Sequence, residues 1–527
     1  TVSIAAAGDA LFSFLPSHLH QYKIAFDLFV IFSLTILNAR GVKESVIVLT
    51  PIFILFLLTH IVGIVGGIIG HVPESAAVTA KLSADMHTGI SSIGMIGVIL
   101  LFLHAYSLGG GTYTGLEAVS NGLMIMREPR VPNAKTTMLY MAVSLAFTAG
   151  GLLLCYLLWN VEPVEGKTLN AVLFEKMTAN IPFGNVFVII TLITEGALLI
   201  VGAQAGFLDG PRVLANMAID YWAPTKFAAL SDRLTTQNGI VLMAVSSMAA
   251  LLYAHGNVSN LVVMYSINVF LTFSLSMFGM LKFYWNHETK DRVRTKRIAL
   301  FSIGFIFCIN ILVITVMEKF SEGGWITVAV TSGLVFLCFL IRSHYRGVAK
   351  KLNSLPTDFN KYPKIDTRPF VCETHGEHIA AVLVGGYGGF GIYTIHNILK
   401  TFPGQFSRFI FISVGVIDSG ELKGKEAVDA LQKQTESAAK KYVDLVESLG
   451  LAGEYITAIG TDTVHEIIRL CQKVAREHKR VIFFSGKVVF QKENWYQRIL
   501  HNETAFSVQK ELQLAGMMMV VIPTKIT

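Results

Sequence analysis

Cysteine is nearly missing. Cys155, Cys308, Cys338, Cys372 and Cys471 are spread over 527 positions without a C-x-x-C pair. That spacing excludes a disulfide-stapled scaffold and a zinc ribbon. Three of the five lie in apolar runs, and the other two suit a polar region facing a reducing compartment. Charge is scarce too: Asp, Glu, Lys and Arg make up 15% of the chain, against about 25% in soluble domains. The net charge of +7 is dispersed among loops between apolar runs, which argues against a phosphate-binding face and so against a nucleic-acid partner. No cluster has metal-ligand spacing, and no Ser/His/Asp or Cys/His nucleophile arrangement occurs, so the chain does not read as an enzyme. A secretory signal is absent, and Thr1 opens without a methionine inside an apolar run. Because 1–16 falls short of the roughly 20 residues of a spanning helix, the expectation is a fragment lacking its true start.

What the chain has is apolar length. Hydrophobic residues make up 53% of it and the mean hydropathy is +0.55, values of a membrane protein. Ten candidate spans run at about 1–16, 22–38, 46–70, 93–122, 137–159, 184–207, 239–255, 258–285, 298–317 and 324–342, the first and seventh marginal by length. Basic residues gather in alternate loops: Arg40 and Lys43; Arg127, Arg130 and Lys135; Lys290, Arg292, Arg294, Lys296 and Arg297; and Arg342, Arg346, Lys350 and Lys351. The intervening loops are neutral or acidic. By the positive-inside rule, everything after Arg342 faces the cytoplasm of a multi-pass protein in the plasma (inner) membrane, with the lipid bilayer as its first partner.

One stretch breaks the apolar logic. Within 102–122, Gly109, Gly110, Gly111 and Gly115 stand among hydroxyls and the carboxyl group of Glu117. Each glycine gives up about 1 kcal/mol of helix propensity relative to alanine. Non-helical backbone at membrane depth survives only against protein or a watery cavity. A discontinuous helix around a central site is a common transporter device, and 109–121 is read as one half of such a site. Glu117 has two readings, a coupling or coordinating carboxylate and a brace for the unwound segment. Thr112 and Thr114 offer oxygens to a cation or polar solute, or back-bond to the preceding turn. Oxygen donors suit a hard cation. The amides of Gly109–Gly111 would instead suit an amino-acid carboxylate.

Other polar residues intrude on the spans. Asp9 could face the same cavity. Glu195 and Gln204 either lock helices together or touch solute. Tyr265 reads best as packing with one satisfied bond. His60 and His104 read as core or interfacial histidines, with His104 close to the glycine-rich segment.

The run Thr114-Gly-Leu-Glu-Ala-Val-Ser-Asn-Gly122, followed by Arg127-Glu-Pro-Arg130, resembles the sixth-helix signature of the amino acid–polyamine–organocation superfamily. Within that superfamily it resembles KimA-type potassium–proton symporters, from Thr1 to about Leu352. The resemblance implies a LeuT-like inverted-repeat fold of which this chain holds ten of twelve spans, the third to the twelfth. It implies no resident cofactor, with a potassium ion and a proton as the co-transported species. It carries potassium coordination onto Thr114 and Glu117 and, by weaker local similarity, onto Thr1 and Tyr265. Gly110 and Gly111 fall in the unwound stretch. Amino-acid permeases share this architecture, so a proton- or sodium-coupled amino-acid permease stands as the alternative, and a non-transporting membrane sensor as a further one.

The chain divides by composition into a transporter region, 1–352, a proline-bearing linker, 353–377, and a cytoplasmic α/β region, 378–527. Strand-like and helix-like runs alternate in the last: 379–384, 392–402, 408–414, 424–449, 454–458, 463–479, 481–484, 503–515 and 517–522. Alternation of this kind predicts a mostly parallel sheet. Thr463-Val-His-Glu466 has the spacing of a capping box. Gly386, Gly388 and Gly391 form a G-x-G-x-x-G between strand and helix, the context in which backbone amides cradle a nucleotide phosphate. The acid expected about 20 residues further on is not clearly present, and a simple tight turn explains the glycines as well. Ser485-Gly-Lys487 falls at the same sheet edge. The expectation is a regulatory module, nucleotide-sensing and homodimeric.

Overall fold

Hydrocarbon leaves a backbone no solvent to bond to, so an apolar run must close its hydrogen bonds as helix. The computed structural model describes residues 1–41, 46–71, 75–109, 119, 123, 126–231, 233–286, 292–363, 378–418, 425–490 and 504–526. Among them, eight helical stretches are long and apolar enough to cross a membrane: Ser17–Ala39, Leu49–His71, Ala76–Tyr106, Arg130–Leu158, Gly184–Ile219, Val258–Asn286, Val293–Lys319 and Trp325–Asn353. Val2–Phe12 and Gln237–Tyr253 are apolar but shorter, the two positions expected to be marginal. The helices are α1 (Val2–Phe12), α2 (Lys23–Ala39), α3 (Val46–His71), α4 (Ser75–Gly109), α5 (Arg130–Leu158), α6 (Leu169–Thr178), α7 (Gly184–Ile219), α8 (Gln237–Tyr253), α9 (Val258–Asn286), α10 (Arg292–Lys319) and α11 (Trp325–Asn353).

Three features differ from the expectation. Helix α4 begins at Ser75 rather than near residue 93. Lys81 and Asp85 dilute its hydropathy, but Ala76, Ala77, Ala80, Leu82 and Ala84 are strong helix formers. Gly94, at φ 73° and ψ 166°, breaks the run; only glycine adopts that conformation at little cost. Helix α6 is additional, ten residues long and capped by the Thr168 hydroxyl, which accepts from the Ala171 amide at 3.2 Å. Helix α7 continues past Phe207 to Ile219, with Pro211 inside it.

The chain forms two compact units. The first comprises Thr1–Asn38, Val42–Asp209 and Val241–Leu334. One of its cores joins α3, α5, α6 and α7 through Ile64, Cys155, Leu173, Phe174, Val188 and Leu192. Small residues permit this approach: a Cβ on Gly63 would strike the Phe174 ring, and one on Gly151 would meet Ile64. Close glycine-lined helix contacts are the usual source of packing energy in lipid. The Trp159 indole closes the top of this core by donating to the Gly67 carbonyl at 3.1 Å.

The second unit comprises Ala39–Gly41, Gly210–Ile240 and Val335–Thr527. Near its membrane segments Arg342 lies 3.8 Å over the Trp222 ring, and the Tyr345 hydroxyl accepts from the Thr225 amide at 3.3 Å. Its α/β region runs β1 (Ile379–Leu383), α12 (Gly389–Thr401), β2 (Arg408–Val416), α13 (Lys425–Ser448), β3 (Ala452–Gly460), α14 (Thr463–Glu477), β4 (Val481–Phe490), α15 (Thr504–Leu514) and β5 (Met519–Ile526). All four pairings are parallel, in the order β3-β2-β1-β4-β5. Period-two alternation divides the strands between two cores. Ala380, Val382, Phe409 and Phe411 meet α12 and α13, while Ile379, Ala381, Ile410 and Ile412 meet α14 and α15. The cap of α14 is a correction. Asp462, not Thr463, is its N-cap, accepting from the Val464 and His465 amides at 2.9 and 3.1 Å; a carboxylate there also answers the helix dipole. In the described part of the segment expected as linker, Phe359 and Tyr362 pack on His396 of α12.

Candidate functional site

The glycine-rich residues proposed to bind solute, Gly110, Gly111, Thr112, Thr114 and Glu117, lie outside the described residues. The helix that leads into them, α4, ends its described part at Gly109. The other two candidates are placed. Thr1 is the N-cap of α1 and its hydroxyl donates to the Ser247 carbonyl on α8 at 3.5 Å. Tyr265 is half-buried on α9. Helix α9 packs against both α1 and α4. The element carrying Tyr265 is therefore a neighbour of the element carrying Thr1 and of the helix that opens into the glycine-rich stretch.

Several polar groups in the membrane unit form specific pairs. Gln204 locks helices: its Nε2 donates to Asn38 Oδ1 at 3.0 Å, and Asn38 Nδ2 donates to Gln204 Oε1 at 2.7 Å. The two residues are 3% and 4% exposed, so the pair joins α7 to α2 in a low-dielectric setting. Glu195 accepts from Asn170 Nδ2 at 3.0 Å, and Asn170 in turn accepts from the Tyr156 hydroxyl. His60 is a satisfied core histidine, its Nδ1 2.9 Å from the Phe56 carbonyl and its ring edge-on to Phe174. His104 lies between the two charges at the end of α10, with Nδ1 3.2 Å from Glu318 Oε2 and Nε2 3.4 Å from Lys319 Nζ. Asp9 pairs with Lys23, whose ammonium also reaches the Gly256 carbonyl at 3.1 Å.

One carboxylate escaped the sequence reading. Asp27 on α2 is 0% exposed, and neither of its oxygens has a hydrogen-bond partner among the described residues. The signal was present in the chain: an acid four residues after a lysine, inside an apolar run, is costly unless it has a role.

In the second unit the sheet order reverses direction between β1 and β4, the crevice where parallel α/β folds seat ligands. Gly386, Gly388 and Gly391 lie there, with Gly388 as the N-cap of α12. The Gly388 amide and the Gly386 carbonyl are already occupied from within. The Tyr442 hydroxyl accepts from the Gly388 amide at 3.2 Å and donates to the Gly386 carbonyl at 3.1 Å. A Cβ on Gly391 would strike that same hydroxyl. The third glycine is thus required by the contact of α12 with α13, whether or not a phosphate binds. Burial holds the Tyr442 phenol up at about 12, with the Gly388 bond opposing the rise and Tyr387 adding to it. Across the crevice, Ser485 is buried at the register of Leu383, and Lys487 Nζ lies 3.8 Å over the Phe506 ring.

A helical membrane unit with polar groups collected at helix interfaces is the framework of a permease. Residues 1–353 match the family model described as amino acid permease, and the chain belongs to that family. Among characterised proteins it is similar to the potassium transporter KimA of Bacillus subtilis (strain 168), with 28% identity over 353 residues. That match covers 67% of this chain and 56% of KimA, so the chain spans little more than half the length of that relative.

Proposed function

We propose that the membrane unit is a secondary transporter that imports potassium together with protons. The supporting observation is the convergence at α9: the helix of Tyr265 touches both α1, which Thr1 caps, and α4, which precedes Thr114 and Glu117 in the chain. Hydroxyl and carboxylate oxygens from three chain segments match the needs of a dehydrated hard cation. In this reading Glu117 changes its proton occupancy through the cycle, and Gly110 and Gly111 let the backbone carbonyls turn inward. The similarity to a protein named as a potassium transporter adds to the case. The family model's own description favours a second reading, an amino-acid permease using the same site.

Growth of a potassium-import-deficient host on limiting potassium tests the proposal. Rescue by the wild type and failure of Glu117→Gln is the expected pattern. Uptake of a labelled amino acid without growth rescue would replace it with the second reading.

For the α/β region we infer a regulatory role on the cytoplasmic face, with a nucleotide at the crevice between β1 and β4. Because Tyr442 occupies the glycine loop, the anion contacts in this reading come from the Ser485–Lys487 side. Titration of the purified protein with adenine nucleotides and cyclic dinucleotides, followed by calorimetry, should give saturable heat that Lys487→Ala abolishes. Silence across the whole series rejects the ligand.

A further inference from the structure

The strongest unassigned feature is the charged cluster shared by α1, α2 and the turn after α8. Asp27 is fully enclosed, and its two carboxylate oxygens have no hydrogen-bond donor among the described residues. Two glycines approach it: a Cβ on Gly8 of α1 would collide with Oδ1, and one on Gly256 would lie 4.0 Å from Oδ2. The charged groups that act on it are Lys23, one turn earlier on α2, and Asp9 from α1; the turn after α8 contributes the Gly256 backbone. Lys23 is committed to Asp9 and to the Gly256 carbonyl at 3.1 Å. Two carboxylates therefore share one ammonium, and the ammonium sits with the outer of the two. The side chains of Lys23 and Asp9 are 19% and 37% exposed. A charged pair is not left against hydrocarbon, so their open side meets water or polar protein and gives protons a route inward.

An enclosed carboxylate without a donor is unstable as an anion and stable as the neutral acid. We propose that Asp27 is a proton-binding site, occupied while Lys23 pairs with Asp9 and emptied when Lys23 turns to Asp27. The balance is simple. The Asp27 O–H bond breaks, its proton passes to water, and Lys23 keeps its own proton while exchanging one carboxylate for the other. Residues at i and i+4 on one helix face the same side, so a change of side-chain rotamer suffices for the exchange. A bare cation fits less well, because Gly8 presses directly on Oδ1 and leaves no room for a coordination shell on that side. The inference uses none of the residues proposed to hold solute and stands whichever solute is carried.

Infrared difference spectroscopy on the full chain in lipid reads this without substrate. The spectrum of wild type minus Asp27→Asn at neutral pH should contain a protonated-carboxyl C=O band that shifts in heavy water. Asparagine has nearly the shape of the neutral acid, so this variant preserves the packing. In Lys23→Met, which removes the competing cation, the same band should persist to a pH about one unit or more above its wild-type midpoint. A difference spectrum with only ionised-carboxylate bands overturns the proposal, as does a midpoint that Lys23→Met leaves in place. Loss of potassium uptake with the band intact would reject the transport reading alone.

Discussion

The amide pair Asn38–Gln204 offers the most calculable perturbation. Gln204→Leu retains the volume and removes both hydrogen bonds. Asn38 Nδ2 still donates to the Leu34 carbonyl at 2.7 Å, but Asn38 Oδ1 is left buried without a donor. An orphaned buried polar group costs about 1–3 kcal/mol, and the lower half applies here because one of the two Asn38 atoms remains satisfied. Asn38→Leu should cost a similar amount, since it strands the Gln204 amide. The double variant strands nothing. Interhelical hydrogen bonds in membranes contribute about 0.6 kcal/mol on average and up to about 1.7. The double-mutant cycle should therefore return a coupling of roughly 0.5–2 kcal/mol. Reversible unfolding in mixed micelles, or a steric-trap measurement in bicelles, gives the four stabilities. Strictly additive single effects would show that the two amides do not share a closed pair, and the locking of α2 to α7 would fall with it.

Two further outcomes concern the α/β region. Tyr442→Phe leaves the Gly388 amide and the Gly386 carbonyl without their internal partner and should destabilise this unit by about 1–3 kcal/mol. Because the folded phenol titrates near 12, above its ordinary value of 10, its stabilisation is complete below pH 10 and is lost as the pH rises through about 12. Chemical denaturation across that range should show a shallower alkaline loss in the variant; an unchanged slope contradicts the Tyr442 assignment. Burial likewise pushes the Cys471 thiol up to about 12. In a Cys372→Ser background, maleimide labelling of Cys471 at pH 8 should be negligible in the native protein and rapid after unfolding; fast native labelling would contradict the packed position of α14.

Much of the fold was readable because its signals are local. The alternation of strand-like and helix-like runs after residue 378 prescribes a mostly parallel sheet, and the sheet is parallel; Ile379–Leu383 and Arg408–Val416 are apolar almost throughout because their two sides meet different helices. Hydropathy located the long membrane helices because lipid enforces continuous helix over any apolar stretch of sufficient length. It failed at the start of α4, where Lys81 and Asp85 lower the average although the backbone is helical. It also missed α6, which is too short to register. Partnerships were less legible. Gln204 had an even choice between lock and ligand until Asn38 appeared opposite it. Tyr442, far beyond Gly391 in the chain, explains a glycine that local spacing assigns to phosphate. Asp27 is marked in the chain by its place four residues after Lys23 in an apolar run, but nothing local shows which atoms enclose it. Such pairings depend on which helices touch, and that is a property of the assembled chain.

The most direct measurement of the central claim is rubidium uptake by the purified protein in liposomes under an imposed pH gradient. The account predicts uptake that collapses when the gradient is abolished, falls at least about tenfold in Glu117→Gln, an effect of roughly 1.4 kcal/mol or more, and is indifferent to added amino acids. Gradient-independent rubidium flux, or amino-acid uptake with no rubidium uptake at all, would contradict it.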